Sequence, residues 1–192
     1  MIITLLSDTH RKHKLVTNDI LKCDLILHAG DISSMGHEFE IDDFCKWYDS
    51  LDADIKLFIA GNHDWGFQRN KENILKILNN YKTFNYLEDD FTIINTDNKT
   101  EIKIYGTPHQ PYFHNWAFNL PRNGKELKEK WDLIPNDIDI LITHSPVFGI
   151  LDDVEGRRGE HLGCELLTER VKEIKPKIHI CGHIHSGRGY YF

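Results

Sequence analysis

Eight polar side chains in this 192-residue sequence have the types needed to hold metal ions and move a proton between them. They stand in five short clusters: Asp8-Thr9-His10, Gly30-Asp31, Gly61-Asn62-His63-Asp64, His144 and Gly182-His183-Ile184-His185. Carboxylate, imidazole and amide oxygen together make a donor set of borderline softness, suited to Mn, Fe or Zn, with Mg, Co or Ni as further candidates. A single four-ligand zinc site would leave about half of these groups unused. Two ions sharing Asp31 employ Asp8, His10, Asp31, Asn62, His144, His183 and His185, and leave His63 free.

Two divalent ions roughly 3.5–4 Å apart polarise a phosphoryl group, make a hydroxide nucleophile available and hold the in-line geometry of displacement. Phosphoester cleavage calls for this, because charge builds on the phosphoryl oxygens in the transition state. The leaving oxygen also needs a proton, and His63 is the natural general acid. An isolated Asp-x-His is usually a solvated surface pair, and His183-Ile184-His185 alone fits either an extended segment with both rings on one face or a turn. Five clusters placed alike in the pattern are not explained that way.

What places them alike is a series of buried strands. Apolar runs at Ile2–Leu6, Leu25–Leu27, Ile55–Ile59, Ile138–Ile142 and Lys177–Cys181 each end at one of the clusters. Their hydrophobicity is continuous rather than alternating, as in strands covered on both faces, so an α/β sheet between helices is expected. In such sheets ligands gather at the carboxyl ends of the strands, where side chains distant in sequence converge. Helical spacing is present over Glu38–Leu51, Asn70–Asn79 and Leu162–Ile174, the last stopped by Pro176. The segments Thr83–Leu87, Phe91–Asn95 and Glu101–Tyr105, with turns at Asp89-Asp90 and Asp97-Asn98, suggest an antiparallel meander.

Two long irregular segments remain. Gly106–Arg122 is rich in aromatics and prolines, and is expected to be an ordered loop. His109, His114 and Trp116 within it are candidate substrate contacts, and Tyr112, Phe113 and Trp116 are candidates for stacking on a base. Arg157 and Arg158, in the glycine-rich segment Phe148–Gly163, are candidate phosphate contacts. The other histidines have blander readings: His13 and His37 at the surface, His28 and His179 within strands, His161 at a helix start.

Lys and Arg total 23 against 30 Asp and Glu, a formal net charge of −7. No basic footprint for stable duplex nucleic acid binding is evident. Cys23, Cys45, Cys164 and Cys181 lack the spacing of a zinc knuckle or disulfide framework and fit small core residues in a reducing, intracellular compartment. Neither a signal peptide nor an apolar run of about 20 residues for crossing a membrane is present. Length and the absence of a linker suggest one domain over residues 1–192.

The ordered series Asp8-x-His10, Gly30-Asp31, Gly61-Asn62-His63-Asp64, His144 and Gly182-His183-x-His185 resembles the calcineurin-like metallophosphoesterase superfamily across nearly the whole chain. Gly106–Phe113 with Trp116–Asn119, and the blocks Thr143–Pro146 and Gly182–His185, look closest to its small metallophosphoesterase-domain-containing branch, although Ser145 stands where that branch has Gly. The resemblance implies a four-layer α/β/β/α sandwich. It implies one ion on Asp8, His10, Asp31 and His185 and a second on Asp31, Asn62, His144 and His183, with Asp31 and a water or hydroxide between them and His63 opposite that nucleophile. It also implies metal-dependent phosphodiesterase activity, cyclic nucleotides included. The alternatives are a nuclease or phosphomonoesterase of the same fold, or a scaffold that has lost catalysis; the intact set of eight speaks against the last.

The sequence departs from the superfamily in two places. Its phosphoprotein phosphatases follow Gly-Asp with a second Asp and an Arg, whereas here the run is Gly30-Asp31-Ile32-Ser33-Ser34, so His63 needs another acceptor to orient it. Relatives also continue beyond His-x-His with strands that complete a sheet, whereas this sequence stops at Tyr190-Tyr191-Phe192. The expected fold is therefore the sandwich without its last C-terminal strands, and an exposed aromatic edge of that kind favours a homodimer.

Overall fold

In the computed structural model, which describes residues 1–96, 99–155 and 159–192, two four-stranded sheets lie face to face with helices on both outer sides. The first sheet is all parallel: β1 (Ile3–Leu6), β2 (Cys23–His28), β3 (Ala53–Phe58) and β4 (Asn85–Tyr86), in that order. The second contains β5 (Asp90–Asn95), β6 (Glu101–Thr107), β9 (Ile140–Thr143) and β10 (Ile178–Ile180), in the order β10-β9-β6-β5. Only the β5–β6 pair is antiparallel. A short parallel pair, β7 (Gln110–Pro111) with β8 (Asn119–Leu120), pins the ends of the aromatic loop.

Continuous apolarity has the expected cause. Leu25 and Leu27 of β2 point between the sheets with Leu57, Ile104, Ile140, Ile142 and Ile180. Ile26, next to them, points the other way, into a layer formed with α1 (Glu38–Asp49), α2 (Trp65–Arg69) and α3 (Lys71–Leu78), whose Phe44, Tyr48, Phe67 and Ile74 pack on it. On the far side α4 (Lys125–Asp132) and α5 (Glu165–Ile174) cover the second sheet through Leu127, Trp131, Leu167 and Ile174. This is the four-layer α/β/β/α sandwich. Among the described residues no helix is long and apolar enough to cross a membrane.

Three expectations need correction. Thr83–Leu87 does not form a meander with β5: β4 pairs parallel to β3, because Phe84 and Tyr86 pack among the aromatics under the first sheet, while β6 turns to pair with β9. The turn expected at Asp97-Asn98 lies outside the described residues. His13 is not a surface residue but is wholly buried against Phe44 and Trp47. His161 does not start a helix; its ring pairs with Asp152 at 2.7 Å, and α5 begins at Glu165, capped by Cys164. The four cysteines are free thiols, three of them buried.

Candidate metal centre

The polar clusters meet where the carboxyl ends of the two sheets adjoin. Beyond β1 the chain keeps step with the segment after β2: the amides of Asp8, His10 and Arg11 donate to the carbonyls of Gly30, Asp31 and Ile32 at 2.9, 3.0 and 3.2 Å. That register sets Asp8 and His10 beside Asp31. From the second sheet, Gly182 donates its amide to the His144 carbonyl at 3.1 Å, and the His183 amide donates to the Asp8 carboxylate at 2.9 Å. Asp8, His10, Asp31 and His183 all have φ between +40° and +71°. The left-handed region is rare and strained for such residues, and strain of this kind concentrates at functional sites.

Donor atoms of Asp8, His10 and His185 lie within 4.8 Å of one another, as do those of Asp8, Asp31 and His144, and those of His10, Asp31 and His63. Asp31 is 1 % exposed and sits at the junction, its Oδ2 3.5 Å from His10 Nε2 and its Oδ1 3.4 Å from His144 Nε2. His10 Nε2 faces His185 Nε2 at 3.2 Å. Two imidazole lone pairs cannot face each other that closely without repulsion, so a proton or a cation belongs between them. On the other side His144 Nε2 and His183 Nδ1 converge on Asn62 Oδ1 at 2.9 and 2.7 Å. Carboxylate, amide oxygen and imidazole nitrogens aimed at two adjacent points fit a pair of divalent ions. His183-Ile184-His185 takes the turn alternative, with a 3-10 turn over His185–Gly187, so the two rings enter different halves of the centre.

Electrostatics agree with that geometry. Burial opposes a charge on His144, but the Asp31 carboxylate outweighs it and lifts the pKa to about 9. Its Nδ1 also donates to the Ala29 carbonyl at 2.8 Å, so both nitrogens face oxygen, as an imidazolium requires. Burial and the neighbouring His144 push His183 down to about 3. The Asp8 carboxyl is opposed by burial, yet its hydrogen bond with His185 and the charge of His144 hold it well below the usual range.

His63 lies alongside. Its Nδ1 donates to the Ser34 carbonyl at 2.9 Å, which is the replacement acceptor that the missing Asp requires, and this leaves Nε2 as the free nitrogen. Its amide donates to Asp31 Oδ1 at 2.8 Å. The Trp116 ring covers His63 at 4.0 Å between centroids, and His10 meets it edge-on at 4.6 Å. Phe113, from the same loop, stands edge-on to His183 at 5.4 Å. The loop is tied to the centre by the Ala117 amide, which donates to the Asn62 carbonyl at 3.0 Å.

Of the other candidate contacts, His109 and His114 are among the described residues. His109 is buried, with Nε2 committed to Asp89 at 3.0 Å. His114 is exposed and touches Phe113. Arg157 and Arg158 lie outside the described residues.

Asp64 is a site residue that pattern alone does not assign. Wholly buried, it accepts the Ser33 amide and hydroxyl at 2.9 and 2.6 Å on one oxygen, and the Gly61 and Ile32 amides at 2.7 and 3.2 Å on the other. It thereby locks the loop carrying Asp31 and the Ser34 carbonyl to the loop carrying Asn62 and His63. Its one signal in the sequence is its place behind His63.

Comparison with known proteins identifies the family and the fold. Metallophosphoesterase domain-containing protein 1 of Homo sapiens, and that of Mus musculus, are each 36 % identical over 207 aligned residues, covering 95 % of this chain. The chain spans 60 % of the length of those relatives. One crystal structure superposes with a TM-score of 0.68 at 15 % identity, over 99 % of this chain and 86 % of its own. That of TT1561 of Thermus thermophilus superposes at 0.56 and 14 % identity, over 94 % and 81 %. These last two likenesses show a shared fold. The family model for calcineurin-like phosphoesterases matches residues 1–187, from the first strand to beyond the last histidine of the centre, and the chain belongs to that family.

Proposed function

We propose that this chain is a two-metal phosphodiesterase acting on small nucleotides, cyclic nucleotides among them. The observation that carries the reading is Asp31, a buried carboxylate between two sets of imidazoles with His63 held beside it. Asp8, His10, Asp31 and His185 would hold one ion, and Asp31, Asn62, His144 and His183 the other, with Mn the first candidate. The bound ions would supply Lewis acidity toward the phosphoryl oxygens and a more acidic water. His63, with Nδ1–H engaged by Ser34, presents Nε2 to protonate the leaving oxygen. Asp64 keeps Asp31 and His63 in fixed relation, so that little reorganisation is needed during the reaction.

The aromatic loop supports the substrate class. Trp116 on His63 and Phe113 against His183 set flat apolar walls at two sides of the centre, where a nucleobase can stack. A net charge of −7 favours a small substrate over extended duplex. Exposed Tyr190, Tyr191 and Phe192 support self-association, which sedimentation would read directly.

The test is Mn-supplemented hydrolysis of cyclic nucleotides, a nucleotide monophosphate, a short oligonucleotide and an aryl phosphodiester, with Asp31→Asn and His63→Ala as controls. Cleavage of cyclic nucleotides is expected, abolished by Asp31→Asn and lowered roughly 10²-fold or more by His63→Ala with metal retained. Phosphate release from the monophosphate alone would reassign the chain as a monoesterase, and cutting of the oligonucleotide alone as a nuclease.

A further inference from the structure

One carboxylate outside the centre is held more tightly than its place in a turn explains. Asp89 follows β4, in left-handed backbone at φ +53°. Its side chain is 14 % exposed and takes three partners: the Thr107 hydroxyl at 2.6 Å, His109 Nε2 at 3.0 Å and Lys130 Nζ at 2.6 Å. Thr107 ends β6, His109 opens the aromatic loop and Lys130 comes from α4, so a single carboxylate fixes the loop's root to both the sheet and the outer helix layer. Burial opposes ionisation of Asp89, but the donors, His109 foremost, hold its carboxyl well below the usual range. Left-handed backbone and a half-desolvated charge are both costly, and natural proteins retain such features where they fix geometry.

The loop's far end is what the root positions. Gln110 donates its amide to the Phe118 carbonyl at 3.1 Å, and Gln110–Pro111 pairs with Asn119–Leu120, closing the loop at its base. From that loop Trp116 lies on His63 and Ala117 bonds to Asn62. We infer that Asp89 is a positioning residue for His63, acting through the loop rooted on Thr107 and His109 and through Trp116. The inference deepens the proposed function, since it rests on His63 serving as the acid there.

The experiment compares Asp89→Asn and Trp116→Leu with the unaltered full chain. Asn accepts left-handed backbone as Asp does, so the change removes charge without adding strain. In the metal-free protein, the imidazole proton resonances of His63, assigned with His63→Ala, carry the ring-current shift of Trp116. Asp89→Asn is expected to move them at least halfway to their Trp116→Leu positions. In the Mn-loaded protein, kcat should fall about tenfold more for a phosphodiester with a poor alkyl leaving group than for one with an aryl leaving group, with KM little changed, because only the former depends on a well-placed acid. Unmoved His63 resonances in folded Asp89→Asn would overturn the inference, as would an equal loss on both substrates. If Asp89→Asn does not fold, Lys130→Met removes one partner at the rim and should move the resonances the same way by less; no movement there overturns it too. An inactive unaltered chain would count against the proposed function, while the resonances would still decide the role of Asp89.

Discussion

Replacing Asp64 by Asn removes one acceptor from a site where four donors point at two oxygens. The amide can face either way. With its NH2 toward Gly61 and Ile32, two buried backbone N–H groups lose their acceptor; turned toward Ser33, the hydroxyl can rotate to accept, and one N–H remains orphaned. The second orientation is cheaper, and one orphaned buried donor costs about 1–3 kcal/mol. For a chain of this size about 2 kcal/mol lowers Tm by about 4–8 °C. A pH dependence should accompany it. Burial and the Asp31 charge raise the Asp64 pKa from its ordinary carboxylate value to about 6. A carboxyl raised on folding contributes stability that is full below its unfolded pKa and lost as pH rises through the folded one. The unaltered chain thus loses stability from this group between about pH 4 and 6, and the Asn variant does not, so the cost of the substitution should be larger at pH 5 than at pH 7.5. Urea unfolding of both metal-free proteins at the two pH values measures it. A difference under about 0.5 kcal/mol at pH 7.5 would refute the account of Asp64 as a clamp whose oxygens are both fully used, and a cost that grows with pH would refute the raised pKa.

Three further outcomes follow from the centre itself. His144 carries a proton below about pH 9 in the metal-free chain because Asp31 faces it, and a ligating imidazole must give that proton up, so metal affinity should rise with pH toward 9 and loading at pH 7.5 should release protons. Calorimetry in buffers of different ionisation enthalpy counts them, and no proton release would remove His144 from the ligand set. Metal-free stability from this raised group should run the other way, full below pH 6.5 and lost as pH rises through about 9. Gly61→Ala should abolish metal loading while the sheets remain folded: a Cβ there would stand 2.3 Å from Asp31 Oδ1 and 2.7 Å from His144 Cε1, contacts that force both side chains aside. Circular dichroism with metal analysis checks this, and normal loading would show that the two loops have more slack than their packing implies.

How much of this is legible in the sequence depends on where each instruction is written. Strands buried on both faces announce themselves locally, because Leu25-Ile26-Leu27 must be apolar at every position when alternate side chains enter different cores. Polar clusters at their carboxyl ends then mark the centre. The placement of β4 is not local: only two residues pair, and what draws them to β3 is Phe58, distant in sequence. α4 leaves little pattern because Lys125–Asp132 is mostly charged, and only Leu127 and Trp131, four residues apart, are buried. His13 is polar by type and core by position, a fact fixed by α1. Asp64 and Asp89 are hidden as functional residues for the same reason: a buried carboxylate is specified by donors on other segments, and no local pattern records them.

The strain in the centre has a physical logic. Parallel strands deliver their carboxyl ends to one edge, but a chain leaving a strand in extended conformation would carry successive side chains to opposite faces. Left-handed residues at Asp8, His10, Asp31 and His183 fold each exit back on itself, so that side chains from separate segments reach a common space. Each such residue costs on the order of 1–3 kcal/mol. The hydrogen bonds between exits, Asp8 to Gly30 and His183 to Asp8 among them, hold the conformation in the metal-free chain, and ligation that favours the folded state would add to it. Stability is therefore spent in advance to fix the donor atoms, and this explains why the clamps, Asp64 at the core and Asp89 at the loop root, are carboxylates that each gather several donors. An apolar side chain could fill either space, but it could not tie together segments that the strain would otherwise drive apart.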